Sequence, residues 1–400
     1  MRCRVLISGG WLAFAWATTH WYSWQRTIDL LFGSDMPEYE RVAQAAPGLP
    51  SQPLPSQHAD RFVPHYLVGL GSDAFHVGDR PLYYVSAIVL LFVIVALVDR
   101  LLAPLDLGRL EYALCIGALV ANPYLYRFLA ICPARLADSV FIVGGAVALL
   151  GLLCRNPWLL VGGLVIATLG RSEAVFPLVL LAPIGVALSP LWREGPPRRR
   201  LAVAVSAFVV PLVAYALLRV ADRSFSVRDH PGFFGLTIFG SLRDLPGSGG
   251  RIGLHLARIL IGIAAACAII VGALVARRSR RLGRLPFPFW AGLAGGVAVS
   301  GEAFLLNPAW IKGSEPLLSA LGAAFFVVAA AAALSSLSRE GRTMGRLPAA
   351  LAIAGLVGTS LHHRFAAISP VSTPGRFAAL AAFSAVAVAV AIAGRVGKAS

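Results

Sequence analysis

The side chains that could do chemistry here are acids, arginines and histidines gathered in a few short clusters. The first is Gly33-Ser34-Asp35-Met36-Pro37-Glu38-Tyr39-Glu40, with Asp35 close beyond an apolar run. A carboxylate at a membrane interface can act as a general base when a dry pocket raises or orients it. The same letters also read as a helix start, with Ser34 or Asp35 as N-cap and Glu38 in the first turn after Pro37. Next comes Gln57-His58-Ala59-Asp60-Arg61-Phe62-Val63-Pro64-His65. His58 and Arg61 are three apart and share a face on a helix. Arg61 could hold a phosphate, with His58 bonding to it or to a sugar; the bland alternative is a solvated loop with an Asp60–Arg61 pair.

A third cluster, Asn122-Pro123-Tyr124-Leu125-Tyr126-Arg127, is followed by Arg135 and Asp138. Ionisable groups this close to membrane depth are functional hypotheses by default. A fourth, Arg171-Ser172-Glu173, interrupts two apolar runs with three polar residues. It reads as a tight turn with an Arg–Glu pair, or as Arg171 binding an anion while Glu173 orients it. The charges of Arg228-Asp229-His230 and Arg243-Asp244 alternate and suit a self-paired solvated surface.

These clusters need elements to hold them, and composition names the kind. Of 400 residues, 58% are hydrophobic and 14% charged, whereas soluble domains carry about 25% charged residues. Many apolar runs reach the roughly 20 residues needed to cross a bilayer as a helix. A soluble enzyme, a disordered chain, a disulfide scaffold and a β-barrel are excluded. The expected fold is an all-α, polytopic transmembrane helical bundle. Its spans fall near 5–24, 81–99, 110–130, 137–154, 157–170, 174–192, 201–220, 255–276, 287–305, 316–337, 348–364 and 377–394, about twelve in all. The third breaks at Asn122-Pro123 and the fifth is short. Arg2 and Arg4 precede the first run, which ends in Trp21, Tyr22 and Trp24 without a small-residue cleavage site, so it reads as a retained span.

Basic runs at Arg198-Arg199-Arg200 and Arg277-Arg278-Ser279-Arg280-Arg281 fall in alternate loops and set those loops on the cytoplasmic side of a cell (inner) membrane. Both termini are then cytoplasmic. Two long loops, 25–80 and 221–254, lie outside, with all eight histidines on or near that face. The net charge of +16 follows from topology and does not call for nucleic acid. The five cysteines form no CxxC or disulfide pattern. No HExxH, GxSxG, SxxK, Walker or GxGxxG motif is present.

An acid just after the first span, Tyr39 four residues on, and His58-x-x-Arg61-Phe62-x-x-Pro64 before the second span occur here in that order. Together with Arg127, Asp138 and Arg171-x-Glu173, this order resembles the GT-C superfamily of membrane glycosyltransferases. The resemblance covers about residues 1–200, the expected catalytic region; 201–400 match only as further helices. It implies transfer of a sugar from a polyprenyl-phosphate or polyprenyl-diphosphate donor on the extracytoplasmic face, to a glycan, lipid or protein acceptor of the cell envelope. It makes Asp35 the base, with Glu38 as a second acid three residues away where many relatives have adjacent acids. Arg61, Arg127 and Arg171 would hold the donor phosphate, and Tyr39, His58, Asp138 and Glu173 would complete the substrate site. A divalent metal bridging Asp35 and the phosphate would be compatible, but no motif calls for a cofactor. The alternatives are a transporter or flippase of an anionic lipid-linked substrate, or an O-antigen ligase or polymerase. Scarce mid-span charge argues against transport, and the acid-first loop order argues against the ligase.

Overall fold

The computed structural model describes residues 2–23, 35–133, 135–172, 175–227, 249–277, 285–305, 315–362, 366–367, 374–394 and 396–397. The protein is all-α, about 81% helical, and membrane-embedded. Among the described residues five helices are long and apolar enough to cross a bilayer: Asp79–Leu102, Leu136–Leu153, Pro197–Asp222, Gly253–Ala276 and Gly375–Ala393. A sixth forms if Arg109–Val120 and Pro123–Ile131, bent by 41°, count as one. Helices also occupy the other expected segments, but Cys3–Ala17, Pro157–Gly170, Phe176–Leu188, Ala323–Arg339 and Arg346–Leu361 have only 10–17 residues. Each is shorter than the roughly 20 residues of a full crossing. The expected segment 316–337 is divided into Glu315–Ala320 and Ala323–Arg339.

The chain folds into two compact units, each assembled from separate stretches of the sequence. One comprises Met1–Trp21, Val98–Phe128 and Leu245–Ser400. The other comprises Tyr22–Leu97 and Leu129–Asp244.

In the first unit, Arg2–Ala17 and Arg346–Leu361 both pack on Arg109–Val120, and Gly249–Ala276 packs on Pro374–Ala393. The break after Val120 has a local cause. The Asn122 side chain accepts the Tyr124 N–H at 3.0 Å, and Pro123 opens the next turn. That turn, Pro123–Arg127, is a π-helix. Asn122 Nδ2 also donates to the Gly262 carbonyl at 2.8 Å, so the break is fastened to a neighbouring helix.

In the second unit, the antiparallel pair Leu136–Leu153 and Pro157–Gly170 makes the most extensive packing. Arg155, at φ 56°, takes the left-handed conformation that ends the first helix. Asn156 then caps the second by accepting from the Trp158 and Leu159 N–H groups, with Pro157 at its start. Small residues line the seam at matched spacing: Gly144, Ala148 and Gly151 on one helix, Gly163, Ala167 and Gly170 on the other. A Cβ at Gly144 would collide with the Ala167 backbone, and one at Gly163 with the Ala148 backbone. Only glycine allows this approach, as in close-packed membrane helices.

Two segments far apart in sequence meet in this unit. Leu54–Pro55 pairs in parallel with Ser226–Val227, and Arg219 binds both Asp60 and, at 2.9 Å, Asp222.

Gly163→Leu is expected to destabilise the protein by at least the roughly 1–3 kcal/mol typical of overpacking. Gly162→Leu, where a Cβ meets nothing within 4 Å, should leave the unfolding midpoint in detergent unchanged. Equal midpoints for the two variants would refute the glycine seam.

Candidate functional site: a buried aspartate among arginines

The glycine seam delivers two charges to one place. Asp138 lies in the first turn of Leu136–Leu153, and Arg171 follows the last residue of Pro157–Gly170 in extended conformation. Because the helices run antiparallel, the start of one meets the end of the other. Arg171 Nη1 donates to Asp138 Oδ1 at 2.6 Å, with the residues 3% and 6% exposed. Arg135 Nη1 stands 3.9 Å from Asp138 Oδ2. Each carboxylate oxygen therefore faces a guanidinium. A third, Arg61, acts electrostatically on both Asp138 and His65.

His65 is fully buried on Phe62–Phe75. Its ring stacks on Tyr39, centroids 4.0 Å apart and planes within 10°, and His58 meets the same tyrosine edge-on at 5.5 Å. His65 Nδ1 lies 3.0 Å from the Tyr83 hydroxyl, which donates to the Tyr39 carbonyl at 3.3 Å. A hydroxyl has one proton. Tyr83 thus accepts from His65 Nδ1–H, and Nε2 carries the lone pair. That Nε2 is buried without a hydrogen-bond partner among the described residues. Burial, reinforced by the positive charge of Arg61 and Arg135, pulls the His65 pKa down to about 3.

The helix Asp35–Ala45 packs on Phe62–Phe75. The approach is again set by glycine, since a Cβ at Gly69 would strike the Ala43 backbone. Tyr39, His58, Arg61, Arg135 and Asp138 lie around His65, and Arg171 joins them through its bond to Asp138. Tyr39 and His58 are buried and serve as ring walls of the cluster. Glu38 pairs with Arg41 on its own helix. Glu173 and the side chain of Asp35 lie outside the described residues. The residues missed by sequence reasoning are His65 and Tyr83; an apolar-flanked histidine opposite a tyrosine 18 positions on gives no local signal.

Arg127 has a different place. It belongs to the first unit and is 0% exposed. All five of its N–H donors are used: two on Ser360 Oγ, and one each on Thr18 Oγ1, Thr19 Oγ1 and the Ala15 carbonyl. This closes the C-terminus of Arg2–Ala17, where cations are favoured. The arginine expected to hold a donor phosphate thus has its five N–H groups bonded within the protein.

Among the described residues no group of three or more His, Cys, Asp or Glu could hold a metal ion. Comparison with known proteins adds no relative. No family model, curated protein or solved structure matches the chain.

The His65 shift has a stability consequence. Its folded pKa lies below the ordinary value of about 6.5, so the unfolded chain binds the extra proton between those limits. Stability from neutral His65 is complete above pH 6.5 and is lost as pH falls toward 3. His65→Phe should flatten the acid limb of stability measured by unfolding between about pH 6.5 and 4. An unchanged slope would show that His65 is not the titrating group.

Proposed function

We propose that this chain is a membrane glycosyltransferase of GT-C-like architecture that takes a sugar from a polyprenyl-phosphate or polyprenyl-diphosphate donor. The reading includes about twelve membrane spans, an active face outside the cytoplasm of a cell (inner) membrane, and cytoplasmic termini. The observation that carries it is the convergence of Arg61, Arg135 and Arg171 on buried Asp138, against the helix pair that begins with Asp35.

The chemistry needs three things. A phosphate leaving group needs fixed cations, and guanidinium groups supply bidentate, charge-assisted bonds. Their geometry must be set before the ligand arrives; Asp138 does this by holding Arg171 and Arg135. The acceptor hydroxyl needs a base, and Asp35 is the carboxylate at the head of the packed helix, with Glu38 one turn along. In the proposed step the acceptor oxygen bonds to the anomeric carbon as the bond to the donor phosphate breaks. The proton passes to Asp35, the electron pair leaves with the phosphate, and the anomeric centre inverts. The acceptor is a glycan, lipid or protein at the same face.

Asp35→Asn should lower transfer from a polyprenyl-phosphate sugar by a factor on the order of 10²–10⁴, the usual worth of a general base, while the unfolding midpoint is kept. Arg61→Ala should weaken donor binding at least tenfold. Transfer at the unaltered rate by Asp35→Asn removes that residue from the step, and unaltered donor affinity in Arg61→Ala removes the phosphate site from the cluster.

A further inference from the structure

Arg219 stands in the last turn of Pro197–Asp222, and the reaction outlined above makes no use of it. Its own helix holds it on two sides. Asp222 Oδ2 accepts from Nη1 at 2.9 Å, and the Tyr215 ring lies 5.9 Å from the guanidinium carbon. The same Nη1 reaches across to Asp60, which is buried just ahead of Phe62–Phe75. Asp60 directly precedes Arg61, one of the cations of the cluster. Two further contacts fasten this stretch of chain to the same wall. The Leu54 N–H donates to the Phe225 carbonyl at 2.8 Å, beside the pairing of Leu54–Pro55 with Ser226–Val227. The Phe225 ring is buried among Val42, Leu54 and Ala59 and meets Phe62 edge-on, centroids 5.4 Å apart. Residues on both sides of Arg61 are thus tied to the segment that begins with Arg219.

The charges distinguish the ion pair from the other contacts. Strand pairing and ring contact locate the backbone without it. Asp60 is a carboxylate out of water, and such a group needs a cation. Arg61 is adjacent in the chain and would serve, but its guanidinium would then be drawn from Asp138 to its own neighbour. Arg219 brings the positive charge from outside the cluster, while Arg61 acts electrostatically on Asp138 and His65. A phosphate entering the cluster then competes less with Asp60 for Arg61. We propose that Arg219 is a positioning residue for the phosphate site: by occupying Asp60, it keeps Arg61 in the cluster that holds the donor phosphate. The phosphate rests on the glycosyltransferase reading; the choice of partner by Asp60 does not.

The full-length protein in lipid nanodiscs would be titrated with geranyl phosphate, a short soluble prenyl phosphate, with binding above that of empty nanodiscs read by saturation-transfer NMR. Arg219→Gln removes the charge, keeps an amide donor, and should weaken binding about tenfold as Asp60 turns to Arg61. Arg219→Lys should bind as the parent does. Adding Asp60→Asn to Arg219→Gln should restore the parental affinity, because no carboxylate is left to draw Arg61 away. A clamp acting through shape alone would leave that double variant as weak as Arg219→Gln. Asp60→Asn by itself should also bind as the parent does. The exchange of partners is read without ligand, from unfolding midpoints in detergent. A double-mutant cycle of Asp60→Asn with Arg61→Ala should show coupling in the Arg219→Gln background and little in the parent. Parental affinity in Arg219→Gln, no recovery in the double variant, loss of binding in Asp60→Asn, or no coupling in the Arg219→Gln background overturns the positioning role. Coupling in that background, with no geranyl phosphate bound by the parent, overturns the phosphate site and the donor reading and retains the exchange of partners.

Discussion

The second unit is organised around one buried carboxylate. Asp138 is out of water, and a charge there is tolerated only because a guanidinium reaches each of its oxygens. Removing one partner from such a pair typically costs about 3–5 kcal/mol, far more than the pair adds over an apolar isostere. The arrangement is therefore poorly explained as a device for stability. It is better explained as a device for position, because it fixes Arg171 and Arg135 in a single geometry. The glycine seam is the condition for it. Were the two helices held apart by a Cβ at Gly144 or Gly163, the 2.6 Å bond between Asp138 and Arg171 could not form without a shift of one helix end.

Arg127 shows what a buried guanidinium looks like when the chain itself consumes it. Its donors meet three hydroxyl-bearing side chains and a helix-terminal carbonyl, and its planar fork is filled on every side. The Phe14 ring lies under the same group, 5.7 Å away. Arg171 and Arg135 instead converge with Arg61 near a histidine that keeps a bare lone pair. Sequence position does not separate these two kinds of arginine. Both follow an apolar helix at the same expected depth, and only the partners tell them apart.

That difference marks the boundary of what the letters reveal. Apolar runs locate the helices, since burying roughly twenty apolar residues in a bilayer leaves little choice of structure. Asn122-Pro123 locates the break, because proline removes a donor and asparagine can cap the next turn. The pairing of Arg171 with Asp138 is half legible: both residues stand out as charges between apolar runs, but proximity in the chain matches Arg171 to its neighbour Glu173. The hairpin geometry that brings residues 33 positions apart into contact depends on a seam of glycines. Their matched spacing is visible only once the two helices are known to face one another. The compact units are likewise built from separate stretches, since the chain leaves the first unit after Trp21 and returns to it at Val98. Loop order gives no hint of such interleaving.

The tautomer and charge of His65 bear on where a proton could go in the proposed transfer. With Nδ1–H committed to Tyr83, its only basic atom is Nε2, and an imidazole that holds a proton only near pH 3 is a weak base at any pH where a cell envelope functions. The same argument bars it from donating to a phosphate, since the neutral ring has no second N–H to offer. His65 is thus confined to accepting a hydrogen bond, from an arginine of the cluster or from a ligand hydroxyl. In the proposed step, proton removal is therefore given to a carboxylate. Glu38 is drawn toward Arg41, and Asp138 is bound by arginines, so both carboxylates are already engaged. In that proposal the part of base goes to Asp35, at the head of the helix Asp35–Ala45, and that of steadying the leaving group to the arginine cluster. The Gly69–Ala43 approach sets the helix Asp35–Ala45 against Phe62–Phe75, and the glycine seam sets Arg171 against Asp138.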